Sequence, residues 1–428
     1  VTEQDAPVAG TAVVVPEGEP VTAVTSTRLA DGRELLYFDD GAQPVPRTTQ
    51  DTRELPERTP AGELRYDVLT GEWVALAAHR QTRTYLPPAD ACPLCPSTPD
   101  YASEIPAADY DVAVFENRFP SLGPDLLAVP EHPTWGRADT AGGRCEVVSF
   151  TSAHTGSFTG LDTRRVRTVI DAWAHRTAAL SAMDGVAQVF CFENRGAQIG
   201  VTLHHPHGQI YAYSYLPPRG AVMAAAAQQH FAASGGRETL TGSVLAKERS
   251  DGSRMVLEGE HFSAYVPFAA RWPLEVHLVP HRQVADLAGL TGAERDELAE
   301  LYPQLLGRFD ALYDSPTPYI AAWHQAPVDP ALRESGYLHL QLTSPRRAAD
   351  KLKYLAGSEA AMGAFINDTL PEQVAEALRA AGGGAGADAG RAGVVAGGTG
   401  ADGAGTDAAG DGTDADAVRT DADARSGQ

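Results

Sequence analysis

An α+β fold, made of two copies of one unit with helices packed on antiparallel strands, is what this 428-residue sequence predicts. Three observations lead there. Strand-like apolar runs flank long stretches of helical periodicity; the order strand, helix, strand, strand occurs twice; and histidines mark the same places in both copies. His154 to His207 spans 53 residues and His281 to His339 spans 58.

In the first copy, Glu146 to Phe150 reads as a strand that ends near His154. Val166, Val169, Ile170, Trp173 and Leu180 then recur at helical spacing within 163–184, and Gly185 closes that helix. Two β-rich runs follow, Val186 to Phe192 and His205 to Tyr215, the second ended by Pro217 and Pro218. In the second copy the strand Leu274 to Val279 ends near His281, and the capping box Thr291-x-x-Glu294 opens a helix to about Tyr313. Strands near Tyr319–Trp323 and Tyr337–Thr343 complete it, the latter before a proline.

The halves are therefore set at 61–218 and 219–380. Residues 1–60 form an N-terminal extension expected to be partly disordered, with a short strand at Leu35 to Phe38. Residues 381–428 are mostly Gly, Ala, Asp and Thr with no aromatic side chain. Such a segment buries too little apolar surface to offset its ordering entropy, so it reads as a disordered tail.

Composition narrows the function. Lys and Arg total 34 against 56 Asp and Glu, a formal net charge of -22, which repels polyanions and argues against a nucleic-acid partner. A small phosphate ligand is still admissible, because local donors decide a pocket. No apolar run reaches the roughly 18 residues of a spanning helix, and the first residues carry no leader pattern. The expectation is a cytoplasmic protein away from membranes. With only four cysteines, a disulfide framework is not indicated.

The densest chemistry lies in His204-His205-Pro206-His207-Gly208-Gln209-Ile210-Tyr211. Read as a strand, it puts His205, His207 and Gln209 on one face and His204 and Gly208 on the other. A plain polar strand would also alternate in this way, but Pro206 and Gly208 are poor interior strand residues and mark a close approach to the backbone. Cys92-Pro-Leu-Cys95 offers two thiolates that can clamp zinc and need two more ligands, for which His154 and His205 are the candidates. A redox dithiol ranks below zinc, since prolines flank the pair and no thioredoxin-like βαβ pattern follows. Cys145 and Cys191 sit in apolar runs and read as core.

Taken together, Cys92-x-x-Cys95, Phe115-Glu116-Asn117-x-Phe119, His154, Phe192-Glu193-Asn194-x-Gly196 and His205-Pro206-His207-Gly208-Gln209 resemble the galactose-1-phosphate uridylyltransferase family of the histidine-triad superfamily, transferase branch. The likeness extends in order from about Leu69 to Glu359. It implies a duplicated histidine-triad-like unit, zinc held by Cys92, Cys95, His154 and His205, His207 as nucleophile, and Gln209 hydrogen-bonded to the transferred phosphate. Related hydrolases carry a third histidine where Gln209 stands, so glutamine argues for transfer. The resemblance further implies substrate contacts at Arg80, Arg83, Asn117 and its neighbour Arg118, Asn194, Gly200, Val201, Thr202, Lys353 and Glu359, and a homodimer. These residue types suit phosphate, which guanidinium groups pair bidentately and backbone N–H groups cradle in a glycine turn.

Two departures stand out. Some members hold a second metal near a His-x-Ala-Pro turn and a His-x-His pair; here His324-Gln325-Ala326-Pro327 is present, but the pair reads His339-Leu340-Gln341, and no matching glutamate follows Pro218. Ser358 stands where an aromatic residue is expected beside Glu359. The activity the resemblance implies is transfer of UMP from UDP-glucose to galactose-1-phosphate by double displacement on His207. Alternatives are a sugar-nucleotide phosphorylase or adenylyltransferase with the same chemistry, and a zinc-stabilised nucleotide-binding protein without turnover.

Overall fold

The computed structural model describes residues 11–12 and 22–383, except 57, 59–61, 83–86, 125, 127–128, 130–131 and 133–134. All of these belong to one compact unit that runs to Val394; a second unit, Val395–Gln428, falls outside the described residues, as does the expected tail from residue 384 onward.

In chain order the elements are β1 (Thr11–Ala12), β2 (Ala23–Arg28), β3 (Glu34–Asp39), β4 (Glu63–Asp67), β5 (Glu72–Leu76), β6 (Val112–Glu116), β7 (Ala138–Thr140), β8 (Gly143–Ser149), α1 (Thr163–Ser181), β9 (Gln188–Arg195) and β10 (His207–Tyr213). The second half supplies α2 (Pro218–Ala233), α3 (Leu240–Asp251), β11 (Met255–Glu258), β12 (Phe262–Tyr265), β13 (Leu274–Pro280), α4 (Gly292–Ala311), β14 (Tyr319–His324), α5 (Pro330–Arg333) and β15 (His339–Ser344). Helices α6 (Gly357–Met362) and α7 (Pro371–Gly382) follow.

Twelve strands form one sheet in the order β1-β2-β3-β6-β8-β10-β9-β14-β15-β13-β12-β11. The expected repeat is laid out in it: β8, β10 and β9 of the first half meet β14, β15 and β13 of the second across the β9–β14 pair. Register fixes one row across the seam, Phe115, Val147, Gln209, Phe192, Ala322, Gln341 and His277, in which each residue faces the next. A separate three-stranded sheet, β5-β4-β7, lies outside this one.

The helices α1 and α4 cover the opposite face. Asp162 caps α1 by accepting from the Arg165 N–H at 2.9 Å, and Thr291 and Glu294 form the capping box expected for α4. Between helices and sheet, Trp173 stacks on Phe158 at 5.9 Å and meets Trp323 and Tyr302 edgewise or tilted, all fully buried. Truncating such a buried aromatic costs about 3–5 kcal/mol.

One difference from the sequence reading concerns the start of the body. The segment read as a loose extension contains a buried hairpin, β2–β3, whose second arm is the expected Leu35–Phe38 strand. Its first arm, Ala-Val-Thr-Ser-Thr-Arg, carries β-branched Val and Thr but few apolar residues, so it lacks a clear apolar run and pairs with β3 along its length.

Candidate active site

Strand β10 begins at His207, not at His205. Pro206 has no N–H to donate, its carbonyl accepts from Phe150 N at 3.2 Å, and His205 sits in the bend before it, buried and turned toward the cysteines. The expected grouping of His205 with His207 and Gln209 on one strand face is corrected accordingly: only the latter two share the cavity. Gly208 faces the helix side, where an added Cβ would lie 2.8 Å from the Phe150 ring and 3.0 Å from the Phe192 carbonyl oxygen.

His205 Nδ1 is 3.5 Å from Cys95 Sγ and 3.8 Å from Cys92 Sγ, and His154 Nδ1 is 3.3 Å from Cys95 Sγ. All four donor atoms gather within 4.8 Å, close to the edge lengths of a tetrahedron with metal–sulfur bonds near 2.3 Å and metal–nitrogen bonds near 2.0 Å. The His205 ring is oriented from outside, its Nε2 donating to the Thr151 carbonyl at 2.7 Å with Tyr110 Oη at 3.2 Å, which leaves Nδ1 as a lone-pair donor. Burial pushes His205 down to about 4, so the imidazole is neutral as ligation requires. Two cysteines, two histidines and an external hydrogen bond fit a structural metal. Cys145 and Cys191 are buried in the core as expected.

Beside this cluster opens a cavity of about 590 Å³. His207 and Gln209 line it with Asn117, Arg118, Asn194, Thr202 and Arg80, the residues the sequence reading singled out. His207 Nδ1 donates to its neighbour's carbonyl, His205 O, at 2.8 Å, so Nε2 carries the free lone pair. Burial lowers the His207 pKa, against the opposing pull of that carbonyl, and the ring stays neutral near pH 7. Tyr211 Oη donates to Gln209 Oε1 at 3.3 Å and accepts from Arg80 at 3.4 Å, which leaves the glutamine NH₂ to donate to a ligand. Asn117 Oδ1 accepts from Phe119 N at 2.8 Å, which orients its amide.

Not every candidate comes to the cavity. Gly200 ends a 3₁₀ turn in the left-handed region at φ 81°, next to Val201, and of this turn only Thr202 lines the cavity. Arg83 lies outside the described residues. Lys353 and Glu359 pair with each other at 2.8 Å away from it, Lys353 lining a smaller cavity of about 150 Å³ with Trp272 and Tyr354. Conversely, Arg53, Leu55, Tyr101 and Glu104 line the main cavity without having been singled out. They carry no motif that marks them in the sequence.

The second half repeats the strand geometry with a different outcome. His339 Nδ1 donates to the Tyr337 carbonyl at 3.2 Å, as His207 does to His205, but Gln341 Nε2 lies 3.2 Å from His339 Nε2 and donates to its lone pair. Arg219 NH2 holds Gln341 Oε1 at 3.0 Å, and His324 stacks on His339 at 5.1 Å. A second metal does not fit here: a guanidinium stands at the cluster, and the lone pair of His339 is taken.

Comparison with known proteins bears on most of the chain. The N-terminal domain of the family described as galactose-1-phosphate uridyl transferase matches residues 53–217, and its C-terminal domain matches 224–385. A galactose-1-phosphate uridylyltransferase of Streptomyces lividans is 47% identical over 370 residues, covering 83% of this chain and 97% of that one. The enzyme of the same name from Thermotoga maritima is 38% identical, covering 74% and 98%. A solved uridylyltransferase structure superposes with a TM-score of 0.66 at 30% identity, covering 75% of this chain and 98% of the other. An ADP-glucose phosphorylase of Arabidopsis thaliana shares the fold, with a TM-score of 0.55 at 21% identity over 74% and 98%.

Proposed function

The chain belongs to the galactose-1-phosphate uridyl transferase family and is a uridylyltransferase, and within that family we propose that it moves UMP from UDP-glucose to galactose-1-phosphate through a uridylyl group carried on His207. The observation that carries this reading is the free Nε2 of a neutral His207, facing a cavity it shares with Gln209 and two asparagines.

In the first step the Nε2 lone pair forms a bond to the α-phosphorus. The phosphoanhydride P–O bond breaks, and its electron pair leaves with glucose-1-phosphate. In the second, a phosphate oxygen of galactose-1-phosphate attacks the same phosphorus and the P–N pair returns to Nε2. Leaving and attacking groups are both phosphate anions, so neither step needs a general base; alignment and charge stabilisation are what the site must supply. The imidazole becomes cationic while substituted, and the His205 carbonyl that accepts from Nδ1 steadies it. Gln209 and Arg80 are the donors for the phosphoryl oxygens.

Zinc, held by Cys92, Cys95, His154 and His205, would supply a cross-link rather than chemistry. It ties the bend before His207 to the Cys92–Cys95 loop. A homodimer completes the reading, with Lys353 and Glu359 serving the cavity of a second copy; Tyr354 and Met362 around them are 74% and 80% exposed. Among the described residues no helix is long and apolar enough to cross a membrane, and the reading places the enzyme in the cytoplasm.

The test is incubation with UDP-glucose labelled in the α-phosphate, followed by intact-protein mass measurement. Acid-labile uridylylation of the wild type and none of His207→Ala is expected. Labelling by ADP-glucose instead would replace this reading with adenylyl transfer, and no adduct from either would leave binding without turnover. Light scattering tests the dimer, which a fully active monomer would refute.

A further inference from the structure

The hairpin β2–β3 precedes residue 53, where the match to the family's N-terminal domain begins, yet it is joined to the wall of the cavity. Leu35 of β3 faces Phe115 of β6, so the end of the hairpin turn comes level with the residues that follow β6, Asn117 and Arg118. Arg33 at that turn is 1% exposed and makes three interactions: Nε with Asp31 at 2.7 Å, NH1 with the Glu116 carbonyl at 2.8 Å, and NH2 with Glu104 Oε2 at 2.6 Å. An arginine this deeply buried is costly to place unless its fork is satisfied, as it is here.

Glu104 is where the connection passes into the site. Its carboxylate also faces Arg53 at 3.1 Å and Arg118 at 3.8 Å, and its N–H donates to the Pro93 carbonyl inside the Cys92–Cys95 loop at 3.0 Å. Arg33 and Arg53 each have a second carboxylate, Asp31 and Asp51, so the charge of Glu104 is what remains to hold Arg118. Arg53, Glu104 and Arg118 line the same cavity as His207. The Phe115 position is two strands from Gln209, about 10 Å at ordinary strand spacing, the reach from a nucleotide's phosphorus to its ribose and base.

We propose that Arg33 is a positioning residue for the nucleoside part of the substrate, acting through Glu104 to hold Arg53 and Arg118 as donors toward the ribose hydroxyls and the carbonyl oxygens of the pyrimidine. This rests on the reading above that the cavity takes a uridine nucleotide. Arginine offers donors only, so these side chains match acceptor groups on the nucleoside. Without Arg33, Glu104 keeps its charge in a buried place and draws Arg53 and Arg118 out of the cavity.

The experiment compares Arg33→Ala, Arg33→Lys and Glu104→Gln in the full chain, measuring kcat/KM for each substrate, zinc per chain and Tm. For Arg33→Ala, kcat/KM for UDP-glucose is expected to fall roughly tenfold through KM, with kcat/KM for galactose-1-phosphate nearly unchanged, since that half-reaction starts with the nucleotide already bonded to the protein. Zinc content should stay at the wild-type level. Arg33→Lys should recover part of the loss by keeping a charge beside Glu104, and Glu104→Gln should reproduce the tenfold effect even if Arg33→Ala does not fold. A lower Tm with both kcat/KM values unchanged, or equal falls for both substrates, would reduce Arg33 to a structural role and overturn the proposal. A wild type that neither turns over UDP-glucose nor takes its label would overturn the parent reading and this one together.

Discussion

The two halves of the sheet hold the same strand motif, His-x-Gln, and differ in what meets the histidine. In the first half His207 leaves Nε2 open to a cavity of about 590 Å³ and Gln209 is drawn toward Tyr211. In the second half Gln341 donates to Nε2 of His339, Arg219 locks the glutamine, and the cavity beside the cluster is about 50 Å³. Both histidines share the same tautomer, set by a carbonyl two residues back. The two frames therefore differ less in the histidine than in whether its lone pair is left without a donor. Duplication supplied two frames whose row neighbours differ: Val147 and Phe192 flank Gln209, where His277 and Ala322 flank Gln341.

The largest effect should come from exchanging the histidines' fates. His207→Ala is expected to lower turnover by at least ~10³-fold and abolish labelling, whereas His339→Ala keeps labelling within about threefold of wild type. Steady-state rates and intact mass read both, and loss of labelling in His339→Ala would break the contrast. Metal content tests it next. Zinc should be found at one per chain by elemental analysis, and Cys95→Ser should lose it along with about 10- to 100-fold in activity; a second equivalent lost on changing His324 would contradict the closed second site.

Packing behind the strands gives a smaller difference. Gly208→Ala should cost about 1–3 kcal/mol in chemical denaturation, because the methyl meets Phe150 and the Phe192 carbonyl, while the matching position in the second half already accommodates Leu340. A neutral or stabilising Gly208→Ala would show that the wall yields.

The smallest effect concerns charge. Glu193, opposite Ala321 in the β9–β14 register, is buried with Oε2 unpartnered, and burial raises its pKa to about 8 against the hydrogen bond from Tyr319. A folded pKa above the unfolded value means the native state binds the extra proton. Stability from this group is present below the unfolded pKa of 4.5 and lost as pH rises through about 8. Glu193→Gln should therefore flatten the fall in Tm between pH 5.5 and about 8; an unchanged slope would place the titration elsewhere.

Much of this was legible in the residues. The capping box Thr291–Glu294, the apolar spacing of α1 and the alternation of β10 from His207 onward are local, and local chemistry forms them wherever the strand or helix docks. Cys92-x-x-Cys95 was legible because two thiolates separated by two residues suit metal ligation, and the few residue types able to complete the set pointed to His154 and His205, which lie 59 and 110 positions from Cys95. Arg53, Tyr101 and Glu104 were not, since nothing in a single arginine or glutamate distinguishes a cavity wall from solvated surface. The hairpin was half legible, its apolar arm β3 showing and its polar arm β2 not.

Periodicity, capping and strand alternation act over a few residues, so the repeated unit, the Cys92-x-x-Cys95 pair and the shared face of His207 and Gln209 could be read from the chain directly, while their roles came from the family resemblance. The packed strands were needed to turn His205 toward the cysteines, to close His339 with Gln341, and to bring Arg33 to Glu104 across 71 positions of chain. Those outcomes turn on which lone pair meets which donor, and that is settled only when strands distant in sequence lie side by side.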